Sequence, residues 1–266
     1  MGRVVFVGAG PGAADLITVR GTQRLAQADV VLFDALTDPA LRVHAPHACW
    51  IDVGKRGAPG TRPERSTEQE AINALLVELA QSHGVVVRLK GGDPGVFGRL
   101  EEELEALAAA GIESEIVPGV TAALAAAAEA QRPLTRRGRG RSVSFATAMT
   151  REGSVEARRS ADTEVYYMAG RRLAALARRL LAAGWAADTP VLVVSRAGWP
   201  DALVSEHRIG TLAHATVVHA GRPTVVTVGA GAMAVASTHV QHAARERAHR
   251  PAEGAGTRVG QLERSL

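Results

Sequence analysis

Val85 to Arg99 reads VVVRLKGGDPGVFGR, a β-branched run that ends in two glycines, an aspartate and a proline. An apolar run without alternation suits a strand covered on both faces, and such strands belong to parallel sheets packed under helices. Two glycines directly after the strand let backbone approach a ligand closely, and Asp93 can accept from hydroxyls or an ammonium. The stretch therefore predicts a strand, Val85 to Leu89, whose carboxyl end opens on a binding loop. An ordinary turn stays open as the plainer reading, since G-G-D-P is good turn chemistry by itself.

The same grammar repeats on both sides. Arg3 to Gly8 (RVVFVG), Val30 to Phe33 (VVLF), the weaker Trp50 to Val53 and Ile112 to Val117 read as strands. Between them, Leu16 to Ala28, Glu68 to Ser82 and Glu101 to Ala110 read as helices, the last ended by Gly111. Strand and helix in alternation predict an α/β unit with a largely parallel sheet. A second unit is expected from Pro118 onward: an alanine-rich helix at Thr121 to Ala130, then strands at Ser142 to Thr147, Glu164 to Met168, Val191 to Ser195 and Pro223 to Val228. A helix at Leu173 to Ala183 separates the second and third of these. From about Ala234 the pattern dissolves into a segment with five arginines, three glutamates and no apolar periodicity, read as a disordered tail.

Composition narrows the function. The chain has 266 residues, 46% hydrophobic and 22% charged, which is globular. Aromatics at 3% disfavour the stacking platforms that grip single-stranded nucleic acid, and a net charge of 31 − 27 = +4 favours anionic ligands without demanding nucleic acid. The single Cys49 excludes a disulfide framework and a thiolate metal cluster, and fits a reducing compartment. No apolar run approaches the ~20 residues of a membrane helix, and the opening MGRVVFVGAGPG reads as strand and turn, not as a signal peptide. A cytoplasmic protein is the expectation.

Two further features stand out. Gly8-Ala9-Gly10-Pro11-Gly12 tempts a dinucleotide reading, but Ala13 takes the third glycine position and Pro11 removes an amide that would cradle pyrophosphate. A tight strand-to-helix turn is the alternative there. Arg132, Arg136, Arg137, Arg139 and Arg141 form a basic loop without acids in a chain whose only lysines are Lys55 and Lys90. Arginine binds carboxylates bidentately, so the loop suits a polycarboxylate, although basic runs are commonly solvated surface.

These loops in sequence resemble the tetrapyrrole methyltransferase family. The matching pieces are VGAGPGAADLITVRG (Val7 to Gly21), ADVVLFDAL (Ala28 to Leu36), VGKR (Val53 to Arg56) and EQEAINALL (Glu68 to Leu76). They continue with VVRLKGGDPGVFGR (Val86 to Arg99), EELEAL (Glu102 to Leu107), VPGVTAALAAAA (Val117 to Ala128), PLTRR (Pro133 to Arg137) and YYM (Tyr166 to Met168). Any one is weak; in this order and spacing they are strong.

The resemblance implies a two-domain α/β fold, residues 1–117 and 118–233 followed by the tail 234–266. Each domain would be a mixed, largely parallel sheet flanked by helices, with the active cleft between them. It implies a homodimer that takes S-adenosyl-methionine as methyl donor, with no metal, no nucleic acid and no membrane. The acceptor it implies is uroporphyrinogen III, methylated on pyrrole carbons on the way to sirohaem or cobalamin. Pro11, Gly91, Gly92, Asp93, Val96, Thr121, Ala122 and Met168 match the family's donor-lining positions, and Ala197 matches more loosely. Asp34 and Lys55 match positions assigned as proton acceptor and donor; Arg99 and Glu102 match positions proposed to orient the substrate or act as base. The plainer readings are a strand-end cap for Asp34 and solvation for Lys55. The family places the loop of Arg136, Arg137, Arg139 and Arg141 beside the active cleft, where it would meet substrate carboxylates. Departures fall on the substrate side: Arg136 where histidine is usual, Leu100-Glu101 for a glycine pair, and Ala146-Thr147-Ala148-Met149 for a Thr-Gly-His element. A later corrin intermediate as acceptor, or a non-catalytic relative, are the competing readings.

Overall fold

The computed structural model describes residues 2–54, 65–149 and 154–235. The chain divides into two units, Met1–Met233 and Ala234–Leu266; every element below belongs to the first, and the expected disorder of the tail lies outside the described residues apart from Ala234 and Val235.

The first sheet holds β1 (Arg3–Gly8), β2 (Val30–Phe33), β3 (Cys49–Asp52), β4 (Val85–Lys90) and β5 (Glu113–Val117) in the order β3-β2-β4-β1-β5. All its pairings are parallel. Alternate residues of β1 serve opposite faces. Val5 and Val7 pack with Leu25 and Leu41, while Val4 and Phe6 pack with Leu76 of α2 (Arg65–Ser82) and Leu107 of α3 (Leu100–Ala109). Both faces of β1, β2 and β4 are buried, which is why these three read as apolar runs without alternation, whereas the edge strands β3 and β5 are partly exposed. The helix expected over Leu16 to Ala28 is shorter, α1 at Val19–Leu25, because Thr18 caps it by accepting from the Gly21 amide at 3.1 Å.

The second sheet holds β6 (Val143–Thr147), β7 (Thr163–Tyr167), β8 (Pro190–Ser195), β9 (Leu203–Arg208) and β10 (Thr224–Gly229) in the order β6-β7-β10-β8-β9. Its α/β character is as expected, with α4 (Ala122–Glu129) on one face and α5 (Leu173–Ala182) on the other. Its strand directions differ from the largely parallel expectation: β6 and β7 run parallel, and the other three pairings are antiparallel. The cause lies in the connections. Residues 196–202 join β8 to its neighbour without a crossover helix, and a return that short makes an antiparallel pair.

Strand β9 escaped the sequence reading. It lies at the sheet edge, and its half-buried positions are Ser205 and His207, so it shows no apolar alternation. Those polar groups serve a buried network. His219 is fully buried, its Nδ1 2.8 Å from Ser195 Oγ and its Nε2 2.8 Å from Ser205 Oγ. Burial, then the charges of His207 and Arg222, lower its proton affinity. The unfolded chain therefore takes up a proton near pH 6.5 that the native state refuses, and stability is lost as pH falls through and below that value. Unfolding free energies measured between pH 7.5 and 5 should decline, with a shallower acid slope in His219→Gln; identical slopes would remove His219 from the cause.

No helix among the described residues is long and apolar enough to cross a membrane.

Candidate functional site

Parallel register brings the loops together. Gly8 pairs with Lys90 and Val7 with Val117, so the loops after β1, β4 and β5 leave the sheet side by side at its carboxyl end, where open α/β sheets place ligands. Gly10 N donates to Gly92 O at 3.2 Å, and Gly92 N donates back to Gly10 O at 2.6 Å. The third loop closes on the second so tightly that a Cβ at Gly119 would stand 2.3 Å from Gly92 O. Asp93 locks this contact: its Oδ2 accepts from Gly119 N at 2.9 Å and its Oδ1 from Gly95 N at 2.8 Å. An ionised carboxylate offers about four lone-pair sites, so Asp93 braces the loops and keeps capacity for a ligand.

A cavity of about 230 Å³ opens between these loops and the second sheet. Pro11, Gly91, Gly92, Asp93 and Val96 line it from one side; Thr121, Ala122, Met168 and Ala197 line it from the other. All nine positions expected to hold the donor thus converge on one space, from loops spread along most of the described chain. The sequence reading missed Leu36, Phe97, Tyr167, Arg196 and Trp199, which share that wall. Tyr167 was legible: strand alternation puts it with Val165 on the α4 face while Tyr166 goes to the other core. Its hydroxyl lies 2.7 Å from Thr121 Oγ1, and burial pushes its pKa up against that hydrogen bond. Phe97, Met168 and Arg196 adopt left-handed backbone (φ 55°, 58° and 52°), and such strain persists where surrounding structure over-determines it, as at binding sites.

Of the expected catalytic residues that are described, Asp34, Arg99 and Glu102 do not line this cavity. Asp34 directly follows β2, two residues before Leu36, and its Oδ1 accepts from Arg88 Nη2 at 2.7 Å. Arg88 is the start of a buried ionic chain: its Nε donates to Glu103 Oε1 at 3.0 Å, and Lys90 Nζ donates to Glu103 Oε2. Glu103 has no exposed surface, and the chain balances two cations against two carboxylates. Burial works against the Arg88 charge, but Asp34 and Glu103 outweigh it and hold its pKa above the ordinary value. Lys90 is lowered, by burial first and by Arg88 second, against the pull of Glu103. Arg99 and Glu102 instead pair with each other at 2.7 Å at the start of α3, both exposed beyond two-fifths. Lys55 lies outside the described residues.

The basic loop is not uniform. Arg132 is buried and paired with Glu206; Arg136 is half-buried, donates to the Met233 carbonyl, and has its proton affinity lowered by burial and by Arg132 and Arg139. Arg137, Arg139 and Arg141 are exposed. Among the described residues, no cluster of three or more His, Cys, Asp or Glu side chains is arranged to hold a metal ion.

Known proteins resemble this chain in sequence and fold. A uroporphyrinogen-III C-methyltransferase of Synechocystis is 41% identical over 242 residues, covering 86% of this chain and 89% of its own. One of Pseudomonas aeruginosa is 46% identical over 200 residues, covering 74% and 80%. The crystal structure of the Thermus thermophilus uroporphyrin-III C-methyltransferase in complex with S-adenosyl-homocysteine superposes with a TM-score of 0.74 at 35% identity, over 86% of this chain and 97% of that one. The sequence profile of the tetrapyrrole (corrin/porphyrin) methylases matches residues 3–213, and the chain belongs to that family.

Proposed function

We propose that this chain is a uroporphyrinogen-III C-methyltransferase: it moves methyl groups from S-adenosyl-methionine to pyrrole carbons of uroporphyrinogen III, giving precorrin-2. The observation that carries the reading is the convergence of Pro11, Gly91, Gly92, Asp93, Val96, Thr121, Ala122, Met168 and Ala197 on one cavity. The lining suits the donor's chemistry, with backbone amides and Asp93 for an amino-acid end, and Ala122, Met168 and Ala197 for a flat apolar end. The donor's sulfonium supplies an already activated methyl group, so the protein's work is alignment of the carbon nucleophile. A proton must then leave the methylated acceptor, and Asp34, oriented by Arg88 and partly open to solvent, is the base we assign. Lys55 is its counterpart as proton donor, while Arg99 and Glu102 orient the acceptor. Arg136, Arg137, Arg139 and Arg141 meet its carboxylates. The protein acts as a cytoplasmic homodimer, with residues 1–117 and 118–233 as its two domains.

Purified protein given labelled S-adenosyl-methionine and reduced uroporphyrinogen III should place label on carbon and release S-adenosyl-homocysteine. The departures around Arg136 and Leu100 fall on the substrate side, so the competing acceptor to test is a later corrin intermediate. Transfer to a corrinoid with none to uroporphyrinogen III would establish that reading instead, and donor binding without any transfer would mark a non-catalytic relative.

A further inference from the structure

Trp199 sits in the loop between β8 and β9, beyond the last position to which the family pattern assigns a donor contact. Its indole N–H donates to Pro11 O at 3.2 Å, a bond that joins residues 188 apart in the chain and ties the second sheet's loop to the first glycine loop. The two loops also touch closely on either side of that bond. A Cβ at Gly12 would stand 2.3 Å from Trp199 Nε1, and one at Gly198 would stand 3.2 Å from Pro11 Cγ. The indole lines the same cavity as the donor positions.

The loop is braced from behind. Arg196 N donates to Pro223 O at 2.8 Å, and the Arg196 and Arg222 guanidinium groups both hold Asp201, at 2.7 and 3.0 Å. Arg196 also lies over the Trp199 ring, 4.4 Å from its centroid. A ring whose π-density already faces one cation is a poor seat for a second, so its partner in the cavity is a neutral flat group, not a sulfonium.

We infer that Trp199 is a donor-binding residue: its indole seats the nucleoside half of the methyl donor and, through Pro11, latches the two loops across the cavity. The inference rests on the cavity being the donor site. Aromatic walls grip flat ligands with little entropy cost, and the latch keeps that wall formed before the ligand arrives.

Calorimetry with S-adenosyl-homocysteine and with 5′-methylthioadenosine, which lacks the amino-acid end, tests it. Trp199→Ala should weaken both by the same factor, about tenfold or more (~1.4 kcal/mol), in a chain that circular dichroism shows still folded at the assay temperature. Gly12→Ala keeps the indole but must displace it, and should weaken both likewise. S-adenosyl-homocysteine should change the tryptophan emission of the wild-type chain, and that change should vanish in Trp199→Phe although Trp50 and Trp185 remain. Unchanged affinities in Trp199→Ala, or loss for S-adenosyl-homocysteine alone, would overturn the inference and leave the donor site standing. A wild-type chain that binds neither ligand would overturn both.

Discussion

Asp34→Asn is expected to lower the turnover of methyl transfer by about 10²–10⁴-fold, with S-adenosyl-homocysteine still bound at wild-type affinity. The asparagine keeps size and an acceptor oxygen for Arg88, so the site stays assembled and loses only a group able to take a proton. Asp34 is 32% exposed while Arg88 is 3% exposed, which describes a carboxylate anchored from the protein interior and presented to an incoming acceptor. Donor affinity is spared because Asp34 is absent from the cavity wall, the lining residue nearest to it in sequence being Leu36. Single-turnover rates in wild type and variant decide the matter. A rate within about threefold of wild type would transfer the base to another residue, with Glu102 the next to test.

Glu103→Gln should destabilise the fold by about 3–5 kcal/mol, the range for removing one partner of a buried ion pair. The carboxylate accepts from both Arg88 and Lys90, and Gln69 approaches it at 3.4 Å. Without its charge, two buried cations share the single, partly exposed Asp34. Lys90, already lowered by burial and by Arg88, loses the neighbour that favours its proton. Urea unfolding at neutral pH reads the effect directly. A loss below about 1 kcal/mol would mean that water, not Glu103, solvates these cations. Because Arg88 orients Asp34, the same variant should also slow methyl transfer.

What could be read from the chain followed from how each residue signals. Strands β1 and β2 appeared with their observed limits, Arg3–Gly8 and Val30–Phe33, because burial on both faces leaves an unbroken apolar run bounded by turn residues. Strand β9 did not, because its inward side chains hydrogen-bond in place of apolar packing, Ser205 to His219 and His207 to Ser205. Gly91, Gly92 and Asp93 were legible as a binding loop after a strand, and the other expected donor positions came from the family resemblance. The aromatic wall residues Phe97 and Trp199 were not legible, since nothing local says which loop residue faces a cavity. Glu101, Glu102 and Glu103 posed a question of helix phase. The resemblance singled out Glu102 for the acceptor side, and nothing in the reading marked Glu103, which α3 turns into the interior with Leu107 four residues on. Likewise five arginines looked equivalent until folding buried Arg132 against Glu206 and left Arg137, Arg139 and Arg141 outside.

The cavity draws its walls from both sheets at once, with Gly91 and Gly92 following β4 and Tyr167, Met168 and Val194 belonging to β7, its end and β8. A ligand held there is a thermodynamic bridge. Its binding free energy is withdrawn whenever either sheet opens, so saturation raises the cost of partial unfolding for both together, by about 2.7 kcal/mol at a hundred times the dissociation constant. Local opening that frays one sheet in the empty protein becomes linked to the other once the site is filled, and the chain then responds to heat or denaturant as one cooperative body.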